Sequence, residues 1–266
     1  MVCLVYSTVD AASLNIATAI KNAMHFDEVE RMDGSVHFTS GHADMIEIDS
    51  PLCEADFVEA LVKTDCFVFL SKHASAKGIA SFTVHAEGNW SAEADFGGKP
   101  KKLGMSSPTK MLAALKAIKE RNNTPMPVLY EATHHGPLLE TPSFFFELGG
   151  DKQAIEDTAL ARVVAESVVA MLLGKSYLGG CEKIAIGIGG MHYSEKFTKL
   201  ALEKGYAFAH ILPRYQAQNV DMLDQAIERS DSKVGVAVIE WKGIKAENRD
   251  RIIKRLDEIG MDYERV

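Results

Sequence analysis

Short, nearly continuous apolar runs alternate along this chain with segments in which apolar residues recur every three or four positions. The runs lie at 2–7, 66–70, 80–85, 128–133, 143–148, 183–188, 206–211 and 234–241. Four to eight apolar residues bounded by turn formers predict strands covered on both faces. Helical spacing occupies 14–24 after Asp10 and Ser13, 55–62 after Pro51 and Glu54, and 108–118 with Pro108 in the first turn. The clearest helix is 153–173. There Ile155, Ala159, Val163, Ser167 and Met171 run beside Leu160, Val164, Val168 and Leu172, between an N-cap at Asp151 and a stop at Gly174. Further helices are predicted at 195–204, 222–229 and 248–259, and a hairpin at 35–48 around Ser40-Gly41-His42.

Strands alternating with helices predict an α/β protein, a three-layer α/β/α sandwich with a mixed, largely parallel sheet. Shorter connections around 80–85 and 128–143 imply some antiparallel pairing. With no Pro/Ser-rich linker and no internal repeat, residues 1–266 read as a single α/β/α domain.

A chain of 266 residues that is 47% hydrophobic can bury a large core. The longest apolar stretch, 159–173, carries Arg162 and Glu166, so no membrane span is expected. The opening residues lack the basic start and cleavage site of a signal peptide. Cys3, Cys53, Cys66 and Cys181 form no Cys-x-x-Cys pair, and the expected location is the reducing cytoplasm. A net charge of −8 argues against a nucleic-acid coat protein and against DNA as partner, yet leaves room for a local basic patch. The densest patch is the glycine-rich loop 97–104 with Lys99, Lys101 and Lys102, flexible by composition and, on the plainer reading, merely solvated. Arg249, Arg251, Lys254 and Arg255 alternate with acids and read as a solvated helix face. No amphipathic seam is left over, so a monomer is expected.

Candidate chemistry sits at the strand ends. Histidines occur in Ser71-Lys72-His73-Ala74-Ser75, Thr83-Val84-His85-Ala86-Glu87-Gly88-Asn89, Glu131-Ala132-Thr133-His134-His135-Gly136-Pro137, Gly189-Gly190-Met191-His192-Tyr193 and Ala209-His210-Ile211-Leu212-Pro213. One such histidine alone reads as a packing residue. Several converging where open α/β sheets bind ligands would make a metal or hydrolytic centre. Along an extended backbone, Glu131 and Thr133 face one way and Ala132 and His134 the other. His85 and Glu87 share parity, which suits a metal ligand beside a general base, or a carboxylate that fixes a tautomer. Gly187-Ile188-Gly189-Gly190 lacks the third glycine of a dinucleotide turn; Gly189 and Gly190 instead allow close approach of an RNA or substrate backbone. Phe144-Phe145-Phe146 reads as strand core, with one ring available for a base.

Taken in order, the segments 71–75, 83–89, 131–137, 142–149 (Pro-Ser-Phe-Phe-Phe-Glu-Leu-Gly), 187–193 and 210–215 (His-Ile-Leu-Pro-Arg-Tyr) closely resemble the archaeal and plant type of D-aminoacyl-tRNA deacylase. The resemblance runs over nearly the whole chain. It implies hydrolysis of the ester between a D-amino acid and the 3′-terminal adenosine of tRNA, zinc dependence, and a phosphorylase/hydrolase-like fold related to peptidyl-tRNA hydrolase. Within that reading, spacing nominates His73, His85, His134 and His210 as zinc ligands. Glu87 or Glu131 would take the proton of the attacking water, with His135 and His192 serving the ester. Lys72, Lys77, Lys99, Lys101 and Lys102 would meet phosphates, beside Gly189 and Gly190. Two other classes use the same residues: a zinc peptidase or amidohydrolase of small substrates, and a non-catalytic RNA-binding module.

Overall fold

In the computed structural model, which describes residues 1–32, 34–74, 78–174 and 179–266, the apolar runs divide between two sheets. In chain order the strands are β1 (Val2–Ser7), β2 (Asp27–Met32), β3 (Ser35–Thr39), β4 (Ala43–Ile48), β5 (Cys66–Ala74), β6 (Ser81–His85), β7 (Gly88–Asn89) and β8 (Lys102–Leu103). There follow β9 (Val128–Tyr130), β10 (Ser143–Gly150), β11 (Lys183–Ile188), β12 (Tyr206–Leu212), β13 (Val236–Ile239) and β14 (Tyr263–Arg265). An eight-stranded mixed sheet has the order β2-β3-β4-β1-β5-β10-β6-β9, and a four-stranded parallel sheet the order β12-β11-β13-β14. The short ribbon β7-β8 stands apart. The expected antiparallel pairing falls at β10-β6 and in the hairpin β3-β4.

The helices are α1 (Ala11–Ala23), α2 (Val58–Leu61), α3 (Pro108–Arg121), α4 (Lys152–Glu156), α5 (Thr158–Leu173), α6 (Glu195–Lys204), α7 (Leu223–Glu228) and α8 (Ala246–Ile259). Asp10 caps α1 by accepting from the Ser13 N–H. The long helix predicted over 153–173 is broken at Asp157, whose carboxylate accepts from the Ala159 and Leu160 N–H groups and starts α5 afresh. The apolar stripe runs through that break, so periodicity alone could not locate it. Segment 55–62 contributes only the single turn α2. β2 (Asp-Glu-Val-Glu-Arg-Met) and β14 (Tyr-Glu-Arg) carry no apolar run; as edge strands they need cover on one side at most.

One core cluster joins both sheets: Leu4, Val68, Phe144 and Phe146 of the first share it with Ala185, Phe208 and Val238 of the second, and with the buried faces of α1, α3 and α5. Helices α7 and α8 close the far face of the second sheet through Leu223, Ala226, Ile252 and Leu256. On the opposite face of the first sheet, Val5, Phe69 and Phe145 pack under Leu52, Val58 and Leu139. Strand alternation on β10 therefore sends Phe144, Phe146 and Leu148 into the main core, and Phe145 and Glu147 to the other side.

Candidate active site

Three neighbouring strands supply the floor of the site. β10 pairs Glu147 with Ser71 and Gly149 with His73 of β5, and Phe145 with His85 of β6. His73, Glu147 and His85 thus share one sheet face, where glycine at 149 leaves room beside His73. His73 Nδ1 lies 3.4 Å and His85 Nε2 3.4 Å from Glu147 Oε2. Phe145 stacks on His85 at 5.2 Å between ring centres.

The wall comes from the segment that leaves β9. After Glu131, whose N–H still donates to the Val84 carbonyl of β6, the chain crosses to the second sheet: the Ala132 N–H donates to the His192 carbonyl beyond β11 at 2.8 Å and the Thr133 N–H to that of Ile211 in β12 at 3.0 Å. No continuous strand runs through 131–134, only isolated bridges at Glu131 and His134, so strand parity does not apply and the two side chains point to the same place. Glu131 Oε2 lies 2.9 Å from His192 Nε2, 3.2 Å from His73 Nδ1 and 3.7 Å from His134 Nε2. Glu131 is buried, and neither of its oxygens receives a well-directed hydrogen bond.

Tautomers follow from the main chain. Nδ1–H of His134 donates to the Ala132 carbonyl at 2.9 Å, that of His85 to Ala86 at 3.1 Å, and that of His135 to Gly136. His134 and His135, both neutral, therefore present a bare Nε2 lone pair inward, toward carboxylate oxygens and other imidazoles, whereas His85 turns its Nε2 to Glu147. Acceptors facing acceptors repel unless a proton or a cation lies between them. Two sets of four and three side chains, His73–Glu131–His134–His192 and His85–His134–His135, bring their ligand atoms within 4.8 Å of one another, as does His85–Glu131–Glu147. Donor set, tautomer locks and orphaned carboxylate oxygens fit a divalent cation such as zinc.

Burial would lower the His85 pKa, but Glu147 pushes it up to about 9. His73 is raised in the same way, against its burial, by Glu147 and Glu131. His135 is lowered to about 4 by burial and then by the neighbouring His85, and His134 falls well below the ordinary value for the same reasons. Glu147 is held low despite burial, because His73 and His85 bond to it.

The site thus gathers His73, His85, His134, His135, His192 and Glu131 from the candidates read in the sequence. His210 stands apart. Its Nε2–H donates to the Arg229 carbonyl at 2.9 Å, and its Nδ1 accepts from the Thr133 hydroxyl at 3.2 Å, so neither nitrogen is available to a metal. Glu87 also falls outside the groups. β6 ends at His85, parity lapses, and the buried Glu87 carboxyl accepts from the Ser143 hydroxyl at 3.2 Å. Burial pushes its pKa up to about 8.

Lys72 is exposed and lines the cavity over the site. Lys77 lies outside the described residues. Lys99 and Lys102 are exposed, whereas Lys101 is held 2.8 Å from Asp221. Their loop packs against 51–54 at one end: Gly97 sits so close to the Cys53 carbonyl that a Cβ would meet it at 1.8 Å. Gly189 and Gly190 close on Glu240. Sequence reasoning missed Glu147. Its signal was the single charge within the apolar run 143–148, two residues beyond Phe145 on the same strand face.

A cavity of about 550 Å³ opens over the cluster, walled on the apolar side by Val9, Leu52, Phe96 and Phe145. A second pocket of about 200 Å³ adjoins it and shares His134, His135 and Phe96.

The model of the D-aminoacyl-tRNA deacylase family matches residues 61–264. A D-aminoacyl-tRNA deacylase of Pyrococcus abyssi is 34% identical over 264 residues, covering 96% of each chain. One of Ignicoccus hospitalis is 38% identical over 201 residues, 74% of this chain and 80% of the relative. The crystal structure of a conserved protein of unknown function superposes with a TM-score of 0.91 at 27% identity, over 100% of this chain and 95% of that one. The chain belongs to the D-aminoacyl-tRNA deacylase family of hydrolases.

Proposed function

We propose that residues 1–266 act as one unit that hydrolyses the ester between a D-amino acid and the 3′-terminal adenosine of tRNA, with zinc as cofactor. The observation that carries this reading is the convergence of bare imidazole lone pairs and buried carboxylate oxygens at the foot of a cavity. The names of the relatives supply the substrate. The core cluster common to both sheets supports a single unit.

His73, Glu131, His134 and His192 would hold the metal. Zinc bound there supplies Lewis acidity toward the ester carbonyl and toward water. Glu131, expected as a base, would then serve as a ligand; His73 committed to a metal no longer donates to Glu147, which is the carboxylate left to accept the proton of the attacking water. The water oxygen bonds to the carbonyl carbon, the bond to the ribose oxygen breaks, and that oxygen departs with a proton passed on from Glu147 or from an imidazole. The main-chain locks on His85, His134 and His135 hold the rings in place throughout. Discrimination against the L-ester follows from a chiral cavity in which only one enantiomer aligns its carbonyl.

Matched D- and L-aminoacyl-tRNA, assayed with and without chelator, test the proposal. D-selective hydrolysis that a chelator abolishes and zinc restores is expected. Equal hydrolysis of both enantiomers, or of neither, overturns it, and turnover indifferent to chelation removes zinc.

A further inference from the structure

The two adjoining pockets differ in chemistry. The larger has a mainly apolar wall of Val9, Leu52, Phe96 and Phe145. The smaller is lined by Asn89, Trp90, Glu93, Asp95, Phe96 and Tyr215. His134 and His135 line both, with Phe96 standing between the two, so a substrate whose carbonyl rests at these imidazoles must place one part in each.

We propose that the smaller pocket takes the 3′-terminal adenosine, its base against Phe96 and Tyr215, and that the larger cavity takes the side chain of the D-amino acid. This rests on the ester hydrolysis proposed above. Phe96 is 71% and Tyr215 51% exposed, which is costly for large rings with no partner and is the arrangement that nucleic-acid bases stack upon. Trp90 is a fixed wall, buried and bonded through its indole N–H to the Thr133 carbonyl at 2.9 Å. The exposed carboxylates of Glu93 and Asp95 repel phosphate but accept from ribose hydroxyls or an exocyclic amine. The occupant is therefore an uncharged nucleoside. Its 5′ phosphate has a route outward past Tyr215: Arg214 is exposed, its N–H bonded to the Gly190 carbonyl at 3.0 Å, and it has no carboxylate partner among the described residues.

The test compares D-tyrosyl and D-alanyl esters of adenosine with the corresponding methyl esters, which lack the nucleoside. In Y215A the ratio of kcat/KM for adenosine ester over methyl ester is expected to fall about tenfold. In V9W, at an exposed position of the larger cavity, D-tyrosyl substrates are expected to lose several-fold relative to D-alanyl ones. An unchanged nucleoside ratio in Y215A overturns the assignment. So does a change of side-chain preference in that variant instead. If the parent protein hydrolyses no D-aminoacyl ester or D-aminoacyl-tRNA, the hydrolase reading fails, and this assignment with it.

Discussion

Each of three imidazoles in the site commits Nδ1 to a main-chain carbonyl within two residues of itself, which leaves Nε2 as the only nitrogen for chemistry. The two carboxylates are then distinguished by position. Glu131→Ala is expected to lower zinc stoichiometry, measured by elemental analysis of the purified protein. Glu147→Gln should keep its zinc and lose on the order of 10²-fold or more in kcat. Loss of zinc from both variants alike would reverse the division of roles. His210 illustrates the opposite outcome, a histidine whose two nitrogens are both consumed by structure. Burial lowers its pKa to about 4 from 6.5. Below pH 6.5 the unfolded chain takes up a proton that the folded one refuses. Stability attributable to this residue therefore falls as pH drops from about 6.5 toward 4, by up to about 3 kcal/mol. Urea unfolding of parent and His210→Gln across that range should show the shallower slope in the variant; parallel slopes would contradict the neutral buried state.

At the scale of elements, caps decide what periodicity leaves open. Asp157 starts α5 through two accepted N–H groups, so Asp157→Ala should cost about 1 kcal/mol in urea unfolding, and Asp157→Asn much less. Equal loss in both would point to charge rather than capping. The buried strands were legible because their apolar runs are required by cover on both faces, and α6 was legible over 195–204. Helix α5 was misread because Asp157 interrupts hydrogen bonding without interrupting the apolar stripe. The site was legible as a set of histidines and only partly as geometry. Parity failed at Glu131 and Glu87 because both lie just past a strand end, where the two-residue period no longer holds. Glu147 was hidden inside an apolar strand, where its partners come from two other strands and cannot be seen locally.

For the whole molecule, the segment from Glu131 to His135 matters most, because it crosses from one sheet to the other and carries the wall of the site with it. Arg229 reinforces the junction from below, bonding the Leu103 and Leu139 carbonyls while its own carbonyl accepts from His210 and Ser106. If the sheets form one cooperative unit, calorimetric and van't Hoff enthalpies should agree and far-ultraviolet and fluorescence transitions should coincide. Two separated transitions would show independent halves. The net charge of −8 excludes little about RNA once charge is viewed locally, since Arg214 and Lys72 flank the site without an ion-pair partner among the described residues.

The alternation along β10 also sets where this chain tolerates a change of length. Phe145 and Glu147 face the cavity while Phe144, Phe146 and Leu148 face the main core. Inserting or deleting a single residue between Ser143 and Glu147 would turn the carboxylate into the apolar interior and a phenylalanine into the site, abolishing fold and chemistry in one step. The same length change at Ser40–His42, in the exposed turn of the β3-β4 hairpin, disturbs neither. Lineages descended from such a sequence are therefore free to lengthen that hairpin, whereas β10 can drift only by substitution.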